Sequence, residues 1–566
     1  MTNKEIAKIF EELAKLLEIK GENPFKIRAY LNASREINAL PYSLESMVQE
    51  GKDLTKLPNI GEQIAKKIQE IVNTGKLEKL EKLKKEFPPA LLKLLAIEGL
   101  GAKHIKTLYE NLHFKTVDEL QELAKEHKIQ TLKGFGPKLE EKIAKGLKLL
   151  KQEGIRFLYA QAEPYANELY KYLQNVPTII RLEIAGSFRR KKETVGDLDI
   201  VASASNPQKV IEFFTRFPKV SQIVSAGDTR STIVLDNSLQ VDFRVVKDEH
   251  FGSALHYFTG SKAHVLEIRR MAQDLNLKIN EYGLFSNDKN LASKEEADIY
   301  RAFGMEYIEP ELRENRGELE AAKNGTLPKL IELNDIKADI HIYSNFSLGK
   351  NSIEEIATYT QEMGYKYIAI TDHFGSIDSN KIEQYLKEIE RLNSHYKDFK
   401  IIKGVECDIL EDGSLALNSD TLSKFDIVYG VINSNFKLPK DIQSARLIKA
   451  IQNPYLSLIS HISNRVIQQD EGIELNYKEI FNALKSNNKL LEINSQPNRL
   501  DINDILAKEA KKYGIKFLIN SSTKSLEELH YIKYGVNQAR RGWLEKSDVV
   551  NTKSLKDFLC YTKDHL

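Results

Sequence analysis

Asp197 and Asp199, in "GDLDIVAS", stand two residues apart in a run that alternates polar and apolar side chains. A strand with that period sends both carboxylates out of one face while Leu198 and Ile200 enter the core. Two like charges held side by side are costly unless a cation joins them. In "LQVDFRVV", Val241, Phe243 and Val245 mark an apolar face, so Asp242 points the other way and brings a third carboxylate from a neighbouring strand. Three oxygen donors with no His or Cys nearby suit Mg²⁺ or Mn²⁺, and a pair of such ions can activate an attacking hydroxyl and stabilise a leaving pyrophosphate. Upstream, Gly186 and Ser187 form a small-residue turn that a phosphate can approach, followed by Arg189, Arg190, Lys191 and Lys192. Turn, cations and spaced carboxylates occur together in the order that nucleotidyl transfer needs.

A chain of 566 residues is too long for one core, and its 41% hydrophobic content argues for several folded domains. Up to about residue 150 the apolar spacing is helical, with short helices interrupted by Gly and Pro. Alternating strands then mix with helices, which reads as an α+β domain, and a mostly helical stretch follows over 252–304. Beyond residue 336 short apolar runs alternate with helical patterns, implying a parallel, barrel-like α/β domain. The boundaries expected are 1–85 and 86–150 for two helical DNA-binding pieces, 151–250 for the α+β domain that carries the carboxylates, and 251–315 for a nucleotide-selection subdomain. A charged linker is expected over 316–336, and the barrel over 337–566. The net charge of +2 hides a small excess of Lys and Arg in the helical part, which permits a nucleic-acid partner. Two cysteines cannot make a disulfide framework, and no long apolar run appears, so a soluble, cytoplasmic protein is expected.

Three segments of the helical part share one plan: "LPNIGEQIAKKI" (57–68), "IEGLGAKHIKTL" (97–108) and "LKGFGPKLEEKI" (132–143). Each joins two helices through a tight turn, and the free amides of the second helix can meet a phosphate without reading sequence. They resemble the helix-hairpin-helix motif, in which a monovalent cation can sit at the turn. The first has Asn59 where a second glycine is usual, and Asn tolerates the left-handed conformation.

"GSFRRKKETVGDLDIV", "VDFRVV" and "YFTGSKAH" together resemble the family X DNA polymerases over roughly residues 1–315. The resemblance implies that Asp197, Asp199 and Asp242 are the catalytic, metal-binding carboxylates. Gly186, Ser187, Arg190 and Gly196, with Arg156, would contact the triphosphate. Tyr257, Phe258 and Gly260 would form the turn against the incoming sugar, and Arg269 would lie on the template side. Val265 stands where the family commonly has an asparagine that reaches the base pair, and valine cannot donate that hydrogen bond. In some members the N-terminal domain removes a 5′-deoxyribose phosphate through a Schiff-base lysine. Lys67 falls at that place, with Lys26 and Tyr30 for the phosphate, while Gln63 replaces another lysine.

From about residue 336 the motif order "DIHIY", "TDH", "GVECDI", "HISNR" and "YGVNQARRGWL" resembles the polymerase and histidinol phosphatase (PHP) domain of bacterial family X polymerases. The intact family holds up to three metal ions for phosphoester hydrolysis in a distorted barrel. His341, His373, Glu406 and His461 match its ligands, but Tyr343, Leu348, Asn433, Ser522 and Lys524 replace five others. The losses include all the aspartates of that pattern, and Lys524 puts an ammonium where a lone pair was needed. The expectation is therefore a templated, gap-filling repair polymerase acting as a monomer on primed or gapped DNA and dNTPs, away from membranes, with a PHP domain lacking phosphoesterase or 3′-exonuclease activity. Three rivals remain: a template-independent nucleotidyltransferase, a DNA-binding scaffold and a PHP-type nuclease.

Overall fold

The computed structural model describes residues 3–39, 44–49, 51–88, 90–95, 97, 100–152, 156–287, 289–374 and 379–563. The chain forms two compact units, Met1–Ile155 and Arg156–Leu566.

The first unit is helical throughout its described residues. Ile6, Phe10, Leu13 and Leu17, spaced three or four apart, bury one stripe of the Asn3–Lys20 helix in a core shared with Ile64, Ile68 and Ile71 of the Glu62–Thr74 helix. A second core gathers Ile105, Leu108, Phe114, Leu120 and Ile143. At the first hairpin Asn59 adopts φ 59°, the left-handed geometry expected of it, and Gly61 caps the Glu62–Thr74 helix. The third turn places Gly134 at φ 90° before the Pro137–Gln152 helix. In the second hairpin Glu98 and Gly99 lie outside the described residues, and Gly101 caps the Ala102–Leu112 helix.

The second unit opens with a five-stranded mixed sheet, ordered Ile179–Ile184, Asp197–Ala204, Gln240–Val246, Arg230–Leu235, Val220–Ala226. Its central pair, Asp197–Ala204 and Gln240–Val246, runs parallel, with Asp199 opposite Asp242. Leu198, Ile200, Val241 and Phe243 are fully buried on the other face, as their alternation predicts. The stretch read as mostly helical also contains a three-stranded antiparallel sheet of Lys278–Asn280, Gly283–Ser286 and Lys289–Ala292. These strands are too short and polar for a clear alternation, so helical neighbours dominated the sequence pattern.

The segment expected to be a linker is folded. Glu318–Asn324 is a helix, Glu318, Leu319 and Ala322 are buried, and Ile331 joins the core of the barrel. Its charges misled because they are paired inside the unit: Glu318 meets His264 at 2.8 Å and Arg316 meets Asp504 at 2.9 Å.

Seven parallel strands in chain order, from Ala338–Ile342 to Phe517–Asn520, form the barrel. A parallel bridge between Ile342 and Thr523 and the bond from the Ile340 amide to Asn520 Oδ1 bring the first and last strands together. Alternation splits each strand between two cores. Ile368 and Ile370 pack under helices, whereas Tyr367 and Ala369 face strand residues such as Tyr429 and Leu458, stoppered by Phe558. The α+β sheet and the barrel share apolar contacts, since Ile467, Leu500 and Tyr534 of the barrel belong to the core under the sheet. Trp543 packs against the core of the 251–330 region, with the Lys508 ammonium 3.3 Å from its ring centroid.

Candidate active site

The parallel pairing of the two central strands carries Asp197, Asp199 and Asp242 onto one face. Asp199 is pushed up to about 7, first by burial and then by the charges of Asp197 and Asp242; burial and Asp242 likewise raise Asp197. Such crowding is what a shared cation relieves. Gly186 makes it sterically feasible, because it sits at φ 61° and a Cβ there would lie 2.3 Å from Asp199 Oδ2. Asp242 is turned aside, accepting from Thr232 Oγ1 at 2.5 Å and Gln240 Nε2 at 2.9 Å. Among the described residues no three His, Cys, Asp or Glu side chains converge closely enough to hold an ion as they stand, and this trio is included. The donor set still fits a hard divalent cation: oxygen only, on adjacent strands, with two raised carboxylates.

A cleft of about 560 Å³ opens beside these carboxylates. Its wall brings together every residue expected on the nucleotide side: Arg156, Gly186, Ser187, Arg190, Gly196, Tyr257, Phe258 and Gly260, with Asp197 and Asp199. Arg269 and Val265 line it too, and Asp242 is not part of the wall. Lys192 and Lys262 also reach the wall. Both lay within the motifs read from the sequence, but a run of cations does not tell which of them turns inward.

The cations are held, not loose. Arg156 donates from Nε to Thr194 Oγ1 at 2.9 Å and from Nη2 to the Thr194 carbonyl at 2.7 Å. Arg190 donates through Nη1 to the Thr259 carbonyl and through Nε to Glu314 Oε1 at 3.1 Å. Arg189 points away, forming two 2.9 Å bonds to the buried Glu296, and Lys191 donates to the Tyr159 hydroxyl at 2.9 Å. Of the "RRKK" run, then, the second and fourth members serve the cleft and the others lock the frame. Tyr257 and Phe258 meet edge to face at 5.1 Å, and the Arg244 guanidinium covers Phe258 at 4.5 Å, so the aromatic edge is rigid.

In the N-terminal unit Lys67 is half-exposed, its ammonium donating to the Gln63 carbonyl at 3.2 Å. Tyr30 is buried, and Lys26 pairs with Glu22 at 3.0 Å. Lys79, which the sequence reading missed, lies over the Tyr30 ring at 5.7 Å, and burial, then Lys26 and Lys67, lower its pKa.

The barrel's four matching residues lie around Glu406: His341 bonds to it, His373 is bridged to it through the backbone, and His461 feels its charge. His341 is fully buried between two carboxylates: Nδ1 meets Glu492 Oε1 at 2.7 Å and Nε2 meets Glu406 Oε2 at 3.1 Å. Those charges outweigh burial and hold it up at about 10, with a carboxylate at each ring nitrogen. Tyr343 donates to Glu406 at 2.5 Å. His373 pairs with Asp408 at 3.1 Å, whose other oxygen accepts from Asn433 at 2.8 Å. His461 is buried, with no partner for Nδ1 among the described residues. Leu348 and Lys524 are exposed, and Ser522 is buried at φ 51°. Asp372, Asp408, Glu492 and Asp501 show that more acids remain near the strand ends than the sequence reading counted. Glu492 was legible only as one polar residue in the apolar strand "LLEIN".

Comparison with known proteins agrees with this geometry. Residues 1–77 match the helix-hairpin-helix domain model, 91–149 the SAM-like helix-hairpin-helix tandem, 254–314 the DNA polymerase beta thumb and 339–556 the PHP domain. A DNA polymerase/3′-5′ exonuclease PolX of Bacillus subtilis (strain 168) is 36% identical over 575 residues, covering 100% of both chains. A DNA nucleotidylexotransferase of Xenopus laevis is 24% identical across 55% of this chain and 68% of its own. DNA polymerase lambda of Arabidopsis thaliana is 25% identical across 55% of this chain and 62% of its own. With helix-hairpin-helix modules ahead of a polymerase beta-like core and a parallel barrel behind it, the chain belongs to the family X DNA polymerases, DNA-directed nucleotidyltransferases that here carry a C-terminal PHP domain.

Proposed function

We propose that this chain fills short gaps in DNA during repair by templated transfer of a nucleotide from a dNTP to a primer 3′-hydroxyl. The observation that carries the reading is the cleft in which two crowded carboxylates face two anchored guanidiniums across a glycine turn. Asp197, Asp199 and Asp242 would hold two Mg²⁺ or Mn²⁺ ions, which when bound lower the pKa of the attacking hydroxyl and neutralise the leaving pyrophosphate. Arg156 and Arg190 orient the triphosphate, since each is fixed by backbone and side-chain acceptors before substrate arrives. Gly186 and Ser187 let its oxygens approach the backbone, and Tyr257 and Phe258 present a rigid edge that excludes a ribose 2′-hydroxyl. The helix-hairpin-helix turns hold the DNA backbone. Primer extension on gapped DNA with Mg²⁺ or Mn²⁺ tests this, with Asp199→Asn as the inactive control; an untemplated product pattern in place of templated extension would favour terminal transfer.

The PHP domain is proposed to lack phosphoesterase and 3′-exonuclease activity, although its 36% identical relative has 3′-5′ exonuclease in its name. What supports this is the replacement of five ligand positions of the pattern by Tyr343, Leu348, Asn433, Ser522 and Lys524, the last of which puts an ammonium where a lone pair was needed. The assay is release of nucleotides from a 3′-labelled primer by the full chain in Mn²⁺, where steady degradation would refute it. A lyase role for Lys67 is left out of this reading, because its ammonium is half-exposed and donates to the Gln63 carbonyl.

A further inference from the structure

Arg541 closes the barrel helix Ile532–Arg541 with a side chain only 3% exposed, yet two of its three partners, Arg190 and Glu314, belong to the polymerase core. Nη1 donates to the Arg190 carbonyl at 2.8 Å and to Glu314 Oε1 at 3.0 Å, and Nη2 donates to Asp504 Oδ2 at 2.7 Å. The same Glu314 oxygen receives Arg190 Nε. A row of alternating charge results, Arg190–Glu314–Arg541–Asp504–Arg316, running from the wall of the cleft into the barrel. From these contacts we infer that Arg541 is a positioning residue for nucleotide binding, acting through Glu314 on Arg190; this rests on the reading that the cleft takes the triphosphate.

The charge arithmetic gives the direction. A carboxylate held in low dielectric satisfies itself from whatever cation is nearest. With Arg541 in place, Glu314 divides its charge between two guanidiniums, and the backbone of Arg190 is pinned from behind. Without Arg541, Glu314 leans on its remaining cations, Arg190 and the neighbouring Lys192, both on the cleft wall, and Arg190 is then both misplaced and partly neutralised toward an incoming phosphate. Other ties of the barrel to the core, among them Lys533–Glu163 at 2.6 Å, Arg465–Glu193 at 2.7 Å and Arg540–Glu311 at 2.8 Å, do not touch Arg190. They bind the domains together without the same consequence for substrate. The barrel thus takes a part in the polymerase reaction.

The test is steady-state single-nucleotide gap filling by the full chain. Arg541→Met is expected to raise the dNTP KM about tenfold with kcat within about twofold, because binding energy common to ground and transition states is lost. Lys533→Met, which loosens the same domain contact elsewhere, should keep the wild-type KM. Arg190→Lys combined with Arg541→Met should bind dNTP no worse than Arg190→Lys alone, since one residue acts through the other. A wild-type KM in folded Arg541→Met, or effects that multiply in the double variant, would overturn the inference. If Arg541→Met does not fold, Arg541→Lys, which keeps the charge but lacks the guanidinium fork that spans Glu314 and the Arg190 carbonyl, should raise KM about threefold, and a wild-type KM there counts equally against it. Gapped-DNA extension by the wild type must be present first; its absence would instead remove the underlying polymerase reading, and the inference with it.

Discussion

Gly186 shows how little room the reaction leaves at one atom. A methyl group at that position would sit 2.3 Å from Asp199 Oδ2 in a backbone conformation that L side chains avoid. Gly186→Ala is therefore expected to cut kcat by at least about a hundredfold while circular dichroism stays unchanged; near-normal turnover would show that Asp199 can move without loss. His341 makes the opposite point, since it is buried between Glu492 and Glu406, whose charges hold it up at about 10. Removing it strands Glu406 and Glu492, so His341→Gln should cost about 3 kcal/mol at neutral pH in chemical denaturation. Its folded-state value, about 10, lies above the ordinary 6.5 of histidine, so the folded chain binds the proton more tightly. That stability is complete below about pH 6.5 and is lost as pH rises through about 10. The gap between wild type and variant should shrink over that window, and a constant gap would mean the ring is neutral.

At the scale of the element, the parallel pairing of Asp197–Ala204 with Gln240–Val246 does most for the site, because it sets Asp199 opposite Asp242. Strict alternation made those two strands and their carboxylates legible. Which cations of "RRKK" face the cleft was not, because the run leaves the one-turn helix Gly186–Arg189 at Arg190 and turns through a left-handed Lys191 at φ 53°, and only packing against Glu296 and Tyr159 decides between them. The charged stretch after residue 315 was misread for the same reason: a buried ion pair has no signature that separates it from a solvated one. The first hairpin offers a check on backbone reasoning. At φ 59°, Asn59→Gly should leave stability within a few tenths of a kcal/mol, whereas Asn59→Val should cost about 1–2 kcal/mol and weaken DNA binding. Equal effects of the two would mean that the turn does not need the left-handed form.

Across the whole second unit, the barrel and the polymerase core are not independent bodies. Ile467, Leu500 and Tyr534 are buried under the sheet, and Gln468 donates to the Arg156 carbonyl at 2.9 Å. A chain ending at residue 335 exposes that apolar surface, so it should unfold at a lower temperature than the full chain and extend primers at least about tenfold less efficiently. A truncated chain as active as the full one would show that the sheet tolerates the exposure.

The sole indole of the chain, Trp543, lies on the seam between barrel and thumb region, with the Lys508 ammonium against its face. Its emission therefore has one origin. Selective excitation near 295 nm turns this seam into a built-in optical gauge, able to follow the joint between the two halves through substrate binding or denaturation without an attached dye.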